Sequence, residues 1–154
     1  NGDHMSMYGV NAGIPKTLVR HIIKHSAETT ENHSLKQVLE DILKTPISPE
    51  LLPPKDGEIT QQTEEIIGSY ELHDFFLYHK LRHGRTPAQI LKLAQLAFAQ
   101  KYPPEEIQKR LQQFHSRFTT QQFKRNCLPD SPKIGSISLS PRGDWRMPSD
   151  VHLK

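Results

Sequence analysis

Three features of these 154 residues predict a mainly helical chain that ends in an irregular but ordered, proline-rich segment. Apolar side chains recur every three or four residues in five separate stretches, the spacing that puts them on one face of a helix. Helix-start residues stand ahead of most of those stretches. Residues 121–150, QQFKRNCLPDSPKIGSISLSPRGDWRMPSD, then drop the period. Pro129, Pro132, Pro141 and Pro148 forbid a continuous helix there, because each lacks an amide donor and restricts the residue before it. Trp145, Leu128, Ile134, Ile137 and Leu139 make the segment too apolar for a disordered tail. Lys124, Arg125, Lys133, Arg142 and Arg146 lie between them as cations that can be aimed at something anionic.

In chain order, GIPKTLVRHIIKH predicts the first helix, with Pro15 at its first position, where a missing N–H has no intrahelical partner to lose. Leu18, Val19, Ile22 and Ile23 form the stripe expected to face inward. Lys16 and Thr17 fall in the first turn, beside free backbone N–H groups and the positive end of the helix dipole. That is a place for a phosphate, but from these residues alone a simply solvated lysine is the preferred reading. After the polar turn at residues 26–34, Ser34 and Gln37 have capping-box spacing ahead of a second helix lined by Leu35, Val38, Leu39, Ile42 and Leu43.

Pro46, Pro49, Pro53 and Pro54 then predict a loop over residues 45–60. Residues 68–83 read as a third helix, apolar on two sides and ended by Gly84 in a left-handed conformation. Thr86-Pro-Ala-Gln89 caps a fourth helix whose core is Ile90, Leu91, Leu93, Ala94, Leu96, Ala97 and Phe98. Pro103 and Pro104 start the last long helix, with Ile107, Leu111, Phe114 and Phe118 spaced four, three and four apart. The best strand candidate is residues 134–139, a short alternating run.

Composition describes a polar but foldable chain of one domain's length, with mean hydropathy −0.65 and sequence pI near 9.0. No apolar run approaches the roughly 18 residues of a membrane span, and no secretory pattern opens the chain. The single Cys127 excludes an internal disulfide or a cysteine-rich zinc site, and a cytoplasmic setting is expected. The net charge of +3 conceals an asymmetry. Residues 28–75 carry 11 acidic and 3 basic side chains, whereas residues 76–154 carry 5 acidic and 14 basic. Either the halves attract each other, or the basic half holds an anion.

Other constellations carry less chemistry. His21/His25 and His79/His83 can each share a helix face, but neither pair has a third ligand at zinc spacing. Glu64–Glu65 and the Glu71/Asp74 pair could be imagined as acid/base or magnesium ligands; a solvated acidic face is the preferred reading. No serine or cysteine triad stands out, and Cys127 reads as structural.

The stretches QFKRNCLPDSPKIGSISLSPRGDWRMPSD, GDHMSMYGVNAGIPKTLV and TPISPELLPPKDGEITQQTEEIIGSYELHDFFLYHKLR closely resemble the end of the synthetase domain of glutamine-dependent NAD+ synthetases, in the same order. The resemblance covers nearly the whole chain. It implies that residues 1–154 are the C-terminal part of one α/β domain, Rossmann-like and adenine nucleotide α-hydrolase-like. Residues 1–60 would supply nucleotide-site loops and two helices, 61–125 a helical region and 126–154 an irregular ordered tail. NGDHM could be a cloning scar ahead of Met5 or Met7; the family's Gly-Asp in a substrate loop favours native sequence. The chain would then begin inside a domain.

The implied activity is a ligase reaction. The nicotinate carboxylate of deamido-NAD+ attacks ATP, with Mg2+, to give an adenylate, and ammonia from glutamine displaces AMP. By resemblance Lys16 and Ser48 contact ATP, and Asp3, Phe123 and Lys124 contact deamido-NAD+. No catalytic nucleophile and no metal ligand is assigned, the Mg2+ ligands being expected outside this stretch. The family's Ser-Gly-Gly-x-Asp-Ser loop and its glutaminase region are missing, so the chain alone is expected to be inactive. Arg142, Asp144 and Arg146 match a family motif, and an Arg–Asp clamp around Trp145 is their expected role. The implied partners are the rest of the same polypeptide and further copies in a homo-oligomer, with no nucleic acid and no membrane. A basic helical nucleic-acid-binding module and a pure oligomerisation module are the competing readings. Dispersed basic residues and the absence of a binding motif weigh against the first.

Overall fold

A computed structural model describes residues 5–45 and 67–151, which are helical with an irregular C-terminal segment. Six helices are described: α1 (Lys16–Thr29), α2 (His33–Lys44), α3 (Tyr70–His83), α4 (Pro87–Ala97), α5 (Pro104–Thr120) and α6 (Gln122–Asn126). Among the described residues no strand forms; an isolated parallel bridge joins Tyr8 and Asp130, where Gly9 N–H donates to the Asp130 carbonyl at 2.8 Å. The residues form two compact units, one from Pro15–Asp74 and the other from Asn1–Ile14 with Phe75–Lys154. The loop expected over residues 45–60 lies outside the described residues beyond Thr45.

In the first unit α1 packs on α2, and Arg20 donates to the Leu43 carbonyl at 2.7 Å. Pro15 stands one position earlier than expected, as the N-cap, with extended backbone, and its carbonyl accepts from Val19 N–H. The cap of α2 also moves. Asn32, not Ser34, takes it, accepting from Leu35 N–H at 3.1 Å, while Gln37 turns to the His33 ring. The apolar stripes are less enclosed than the sequence suggests. Val19, Ile23, Leu39 and Leu43 are half-buried, but Leu18, Ile22, Leu35, Val38 and Ile42 are exposed. The helix expected from Gly68 begins at Tyr70, because Gly68 holds φ 87°, outside the helical region.

The second unit has the larger core. Phe76, Ile90, Ala94 and Ile107 are fully buried, with Leu111, Phe114 and Phe118 nearly so, which is the predicted α5 stripe. Phe76 meets Phe114 at 5.7 Å between ring centroids, and Phe75 meets Phe98 edge-on at 5.2 Å. Leu96, expected in the core of α4, is 78% exposed; Ile90 and Ala94 carry that face instead. The Thr86/Gln89 capping box forms as predicted, with Pro87 just inside the helix. Gly84 ends α3 at φ 59°, its N–H bonded to the Lys80 carbonyl.

Residues 127–151 form an irregular segment held by side chains rather than by a ladder. The alternating run at 134–139 is not a strand: no partner strand accompanies it among the described residues, and Ser138 N–H is taken at 2.7 Å by the Asp144 carboxylate. Trp145 lies edge-on to Phe118 at 5.2 Å. The clamp around it has other partners than expected. Asp144 pairs with Lys133 at 2.8 Å, Arg142 pairs with Asp130 and donates to the Leu128 carbonyl, and Arg146 donates to the Pro141 carbonyl. Each of these three side chains therefore holds backbone or a neighbouring segment. Among the described residues no helix is long and apolar enough to cross a membrane.

Candidate functional site

The short helix α6 divides its side chains between two directions. Gln122, Arg125 and Asn126, at i, i+3 and i+4, share one face and bond to one another. The fully buried Gln122 donates through Nε2 to Asn126 Oδ1 at 2.8 Å and accepts through Oε1 from Arg125 Nε at 3.0 Å. Asn126 reaches on to the Ser149 hydroxyl at 2.6 Å, tying the tail to the helix. Arg125 stacks over Phe118 at 4.3 Å and donates to the Phe118 carbonyl. With that face anchored, Phe123 and Lys124 point the other way and are exposed, Phe123 to 47%. The Lys124 ammonium lies 6.0 Å from the Phe123 ring centroid, so an exposed aromatic face and a cation stand side by side.

Behind them the ring of Phe118 gathers positive groups. Lys80 Nζ sits 5.2 Å from its centroid, and burial lowers the Lys80 pKa. The His115 pKa is lowered too, by burial first and by Lys80 second. His115 Nε2 and Trp145 Nε1 are buried without a hydrogen-bond partner.

In the other unit Lys16 is exposed at the start of α1. The first-turn amides beside it are not all free. Thr17 donates through its N–H at 2.9 Å and its hydroxyl at 2.7 Å to one oxygen of Asp74. Asp74, expected on a solvated acidic face, is instead a half-buried acceptor at the N-terminus of α1. Asp3 and Ser48, and the Glu64–Glu65 pair, lie outside the described residues. The structure thus brings Phe123 and Lys124 together and places Lys16 in the other unit. Sequence reasoning missed Gln122 and Asn126 and read Arg125 as a cation for an anionic ligand, whereas Arg125 bonds to Gln122 and the Phe118 carbonyl; the i, i+3, i+4 spacing within QFKRN was visible. Among the described residues no group of three or more His, Cys, Asp or Glu side chains is disposed to hold a metal ion.

In one unit an exposed lysine stands beside an aromatic ring, and in the other an exposed lysine stands at the start of a helix; each taken by itself is a cation suited to a phosphorylated ligand. Comparison with known proteins narrows it. Over 99% of its length the chain is 41% identical to proteins named glutamine-dependent NAD(+) synthetase from Mycobacterium leprae and Mycobacterium tuberculosis. The protein of that name from Mus musculus is 29% identical over 84% of the chain. The chain spans 25% of the length of the mycobacterial proteins and 17% of the mouse one. No protein-family model matches it. The resemblance read from the residues is therefore borne out along nearly the whole chain.

Proposed function

We propose that the chain is the C-terminal part of the synthetase domain of a glutamine-dependent NAD+ synthetase, a ligase that amidates deamido-NAD+ with ATP and glutamine-derived ammonia. The observation that carries this is the 41% identity over 99% of the chain to proteins of that name. The helical architecture is compatible with a piece of a larger α/β domain. Lys16 is assigned to ATP, together with Ser48; Phe123 and Lys124 are assigned to deamido-NAD+, together with Asp3. Their task is electrostatic and positional. The Lys124 ammonium offsets phosphate charge while the Phe123 ring offers a face for stacking, and the buried Gln122–Arg125–Asn126 side keeps both in place. ATP-bound Mg2+ would neutralise phosphate charge through ligands elsewhere in the polypeptide.

The test is a pair of single variants in the full-length enzyme. Lys124→Ala is expected to lower kcat/KM for deamido-NAD+ by about 1.5–3 kcal/mol, the range of a charge-assisted contact, with little thermal change. Lys16→Ala is expected to act on ATP use instead, by about 2–4 kcal/mol. A lowered melting temperature with normal KM for deamido-NAD+ would make Lys124 a helix-terminal charge only. The isolated 154-residue chain is expected to make no NAD+ from deamido-NAD+, ATP and ammonia, since the loop that cradles the phosphates lies elsewhere. Turnover by the fragment freed of full-length enzyme would overturn the assignment.

A further inference from the structure

The first turn of α1 has a gap that the local sequence cannot fill. A helix N-terminus leaves four N–H groups without intrahelical partners. Residues such as Ser, Asp or Asn ordinarily accept from one of them at the N-cap, but here the N-cap is Pro15, which makes no side-chain cap bond. The acceptor comes instead from 57 residues away. One oxygen of Asp74, on α3, receives both the Thr17 N–H at 2.9 Å and the Thr17 hydroxyl at 2.7 Å, in a part-buried setting. Both bonds are charge-assisted, and the carboxylate stands at the positive end of the α1 dipole.

We propose that Asp74 is a positioning residue for Lys16, an inference that rests on the assignment of Lys16 to ATP. The Thr17 N–H belongs to the planar peptide unit whose other half is the Lys16 carbonyl. Holding that N–H therefore fixes the plane from which the Lys16 side chain departs. The carboxylate grips the Thr17 backbone and hydroxyl, while the Lys16 side chain stays exposed. It also withdraws the Thr17 amide from any phosphate and sets a negative charge beside it. An anionic ligand is thereby directed to the ammonium of Lys16 and away from the helix end. Thr17 shares this role as the group Asp74 holds.

The experiment is a double-variant cycle in the full-length enzyme, with kcat and KM measured separately for ATP and deamido-NAD+. Asp74→Asn keeps the shape and removes the charge; it is expected to raise KM for ATP about five- to tenfold, as loss of a charge-assisted bond would. KM for deamido-NAD+ should stay within about twofold. Thr17→Val should move ATP in the same direction by less, and it carries the test alone if Asp74→Asn does not fold. In a Lys16→Ala background either change should add less than about twofold, because residues acting through one another are not additive. Full additivity, or equal loss against both substrates, would reduce Asp74 to a structural cap and overturn the proposal. So would an unaltered KM for ATP in both Asp74→Asn and Thr17→Val while Lys16→Ala is impaired. If Lys16→Ala itself uses ATP normally, the assignment of Lys16 fails first and the role of Asp74 falls with it.

Discussion

Ile22 on α1 and Phe114 on α5 occupy the same kind of sequence position, the middle of an apolar stripe on an amphipathic helix, yet Ile22 is 46% exposed and Phe114 6%. The difference lies in what each unit brings to cover the stripe. α5 is met by aromatic residues of α3 and by Trp145 of the tail, so its stripe closes on both sides of Phe118. Among the described residues of their own unit α1 and α2 pack chiefly on each other, and Leu18, Ile22, Leu35, Val38 and Ile42 stay exposed. Helical period marks a face. Elements far away in sequence decide whether that face becomes core.

The sharpest way to break this comparison is a matched pair of truncations. Ile107→Ala, at a fully buried position, is expected to cost about 2–5 kcal/mol, and Ile22→Ala less than about 1 kcal/mol, read from urea unfolding of the same protein. Equal losses would show that the α1 stripe is as well covered as the α5 stripe.

A smaller effect separates the units by cooperativity. Thr86→Ala and Asn32→Ala each remove an N-cap acceptor worth about 1 kcal/mol. The first is expected to lower the global transition. The second should mainly speed hydrogen exchange of the Leu35 amide and of α2, since the more open unit can fray locally. A global shift from Asn32→Ala as large as that from Thr86→Ala would mean the units unfold as one.

The smallest expected effect is a pH dependence that arises in the second unit. Burial, then Lys80, holds the His115 pKa below its usual 6.5; burial, then Arg85 and His83, does the same to His79. The unfolded chain therefore binds these protons first, so their contribution is complete above about pH 6.5 and is lost as pH falls toward the folded values. Melting curves between about pH 7.5 and about pH 5.5 should show this decline, and it should be shallower in His115→Gln. An unchanged slope would remove His115 from the account.

What the sequence made legible was local. The 4-3-4 spacing of Ile107, Leu111, Phe114 and Phe118 gave the face of α5, and Thr86-Pro-Ala-Gln89 gave a capping box, because both signals are complete within one or two turns. The start of α2 was ambiguous, since Asn32 and Ser34 are both good caps two residues apart. Residues 134–139 alternate like a strand, but alternation says nothing about a pairing partner, and the backbone donor of Ser138 went to Asp144. Of the candidate site, the residues themselves made legible only that Lys124 is a cation after a long helix; the assignment of Phe123 and Lys124 came from the family resemblance. The buried side of α6 that holds them, and the Asp74 bond to Thr17, depend on packing and on contacts between residues far apart in the chain.

The contact between Trp145 and Phe118 has a spectroscopic consequence. The chain contains one tryptophan, and it sits half-buried on α5 at the point where the irregular tail docks. Its emission therefore comes from a single place and reports whether the tail is seated. Release of the tail would hydrate the indole and move its emission to longer wavelength while helical circular dichroism stayed constant. The protein carries its own optical gauge of the segment that anchors Phe123 and Lys124, readable without any label.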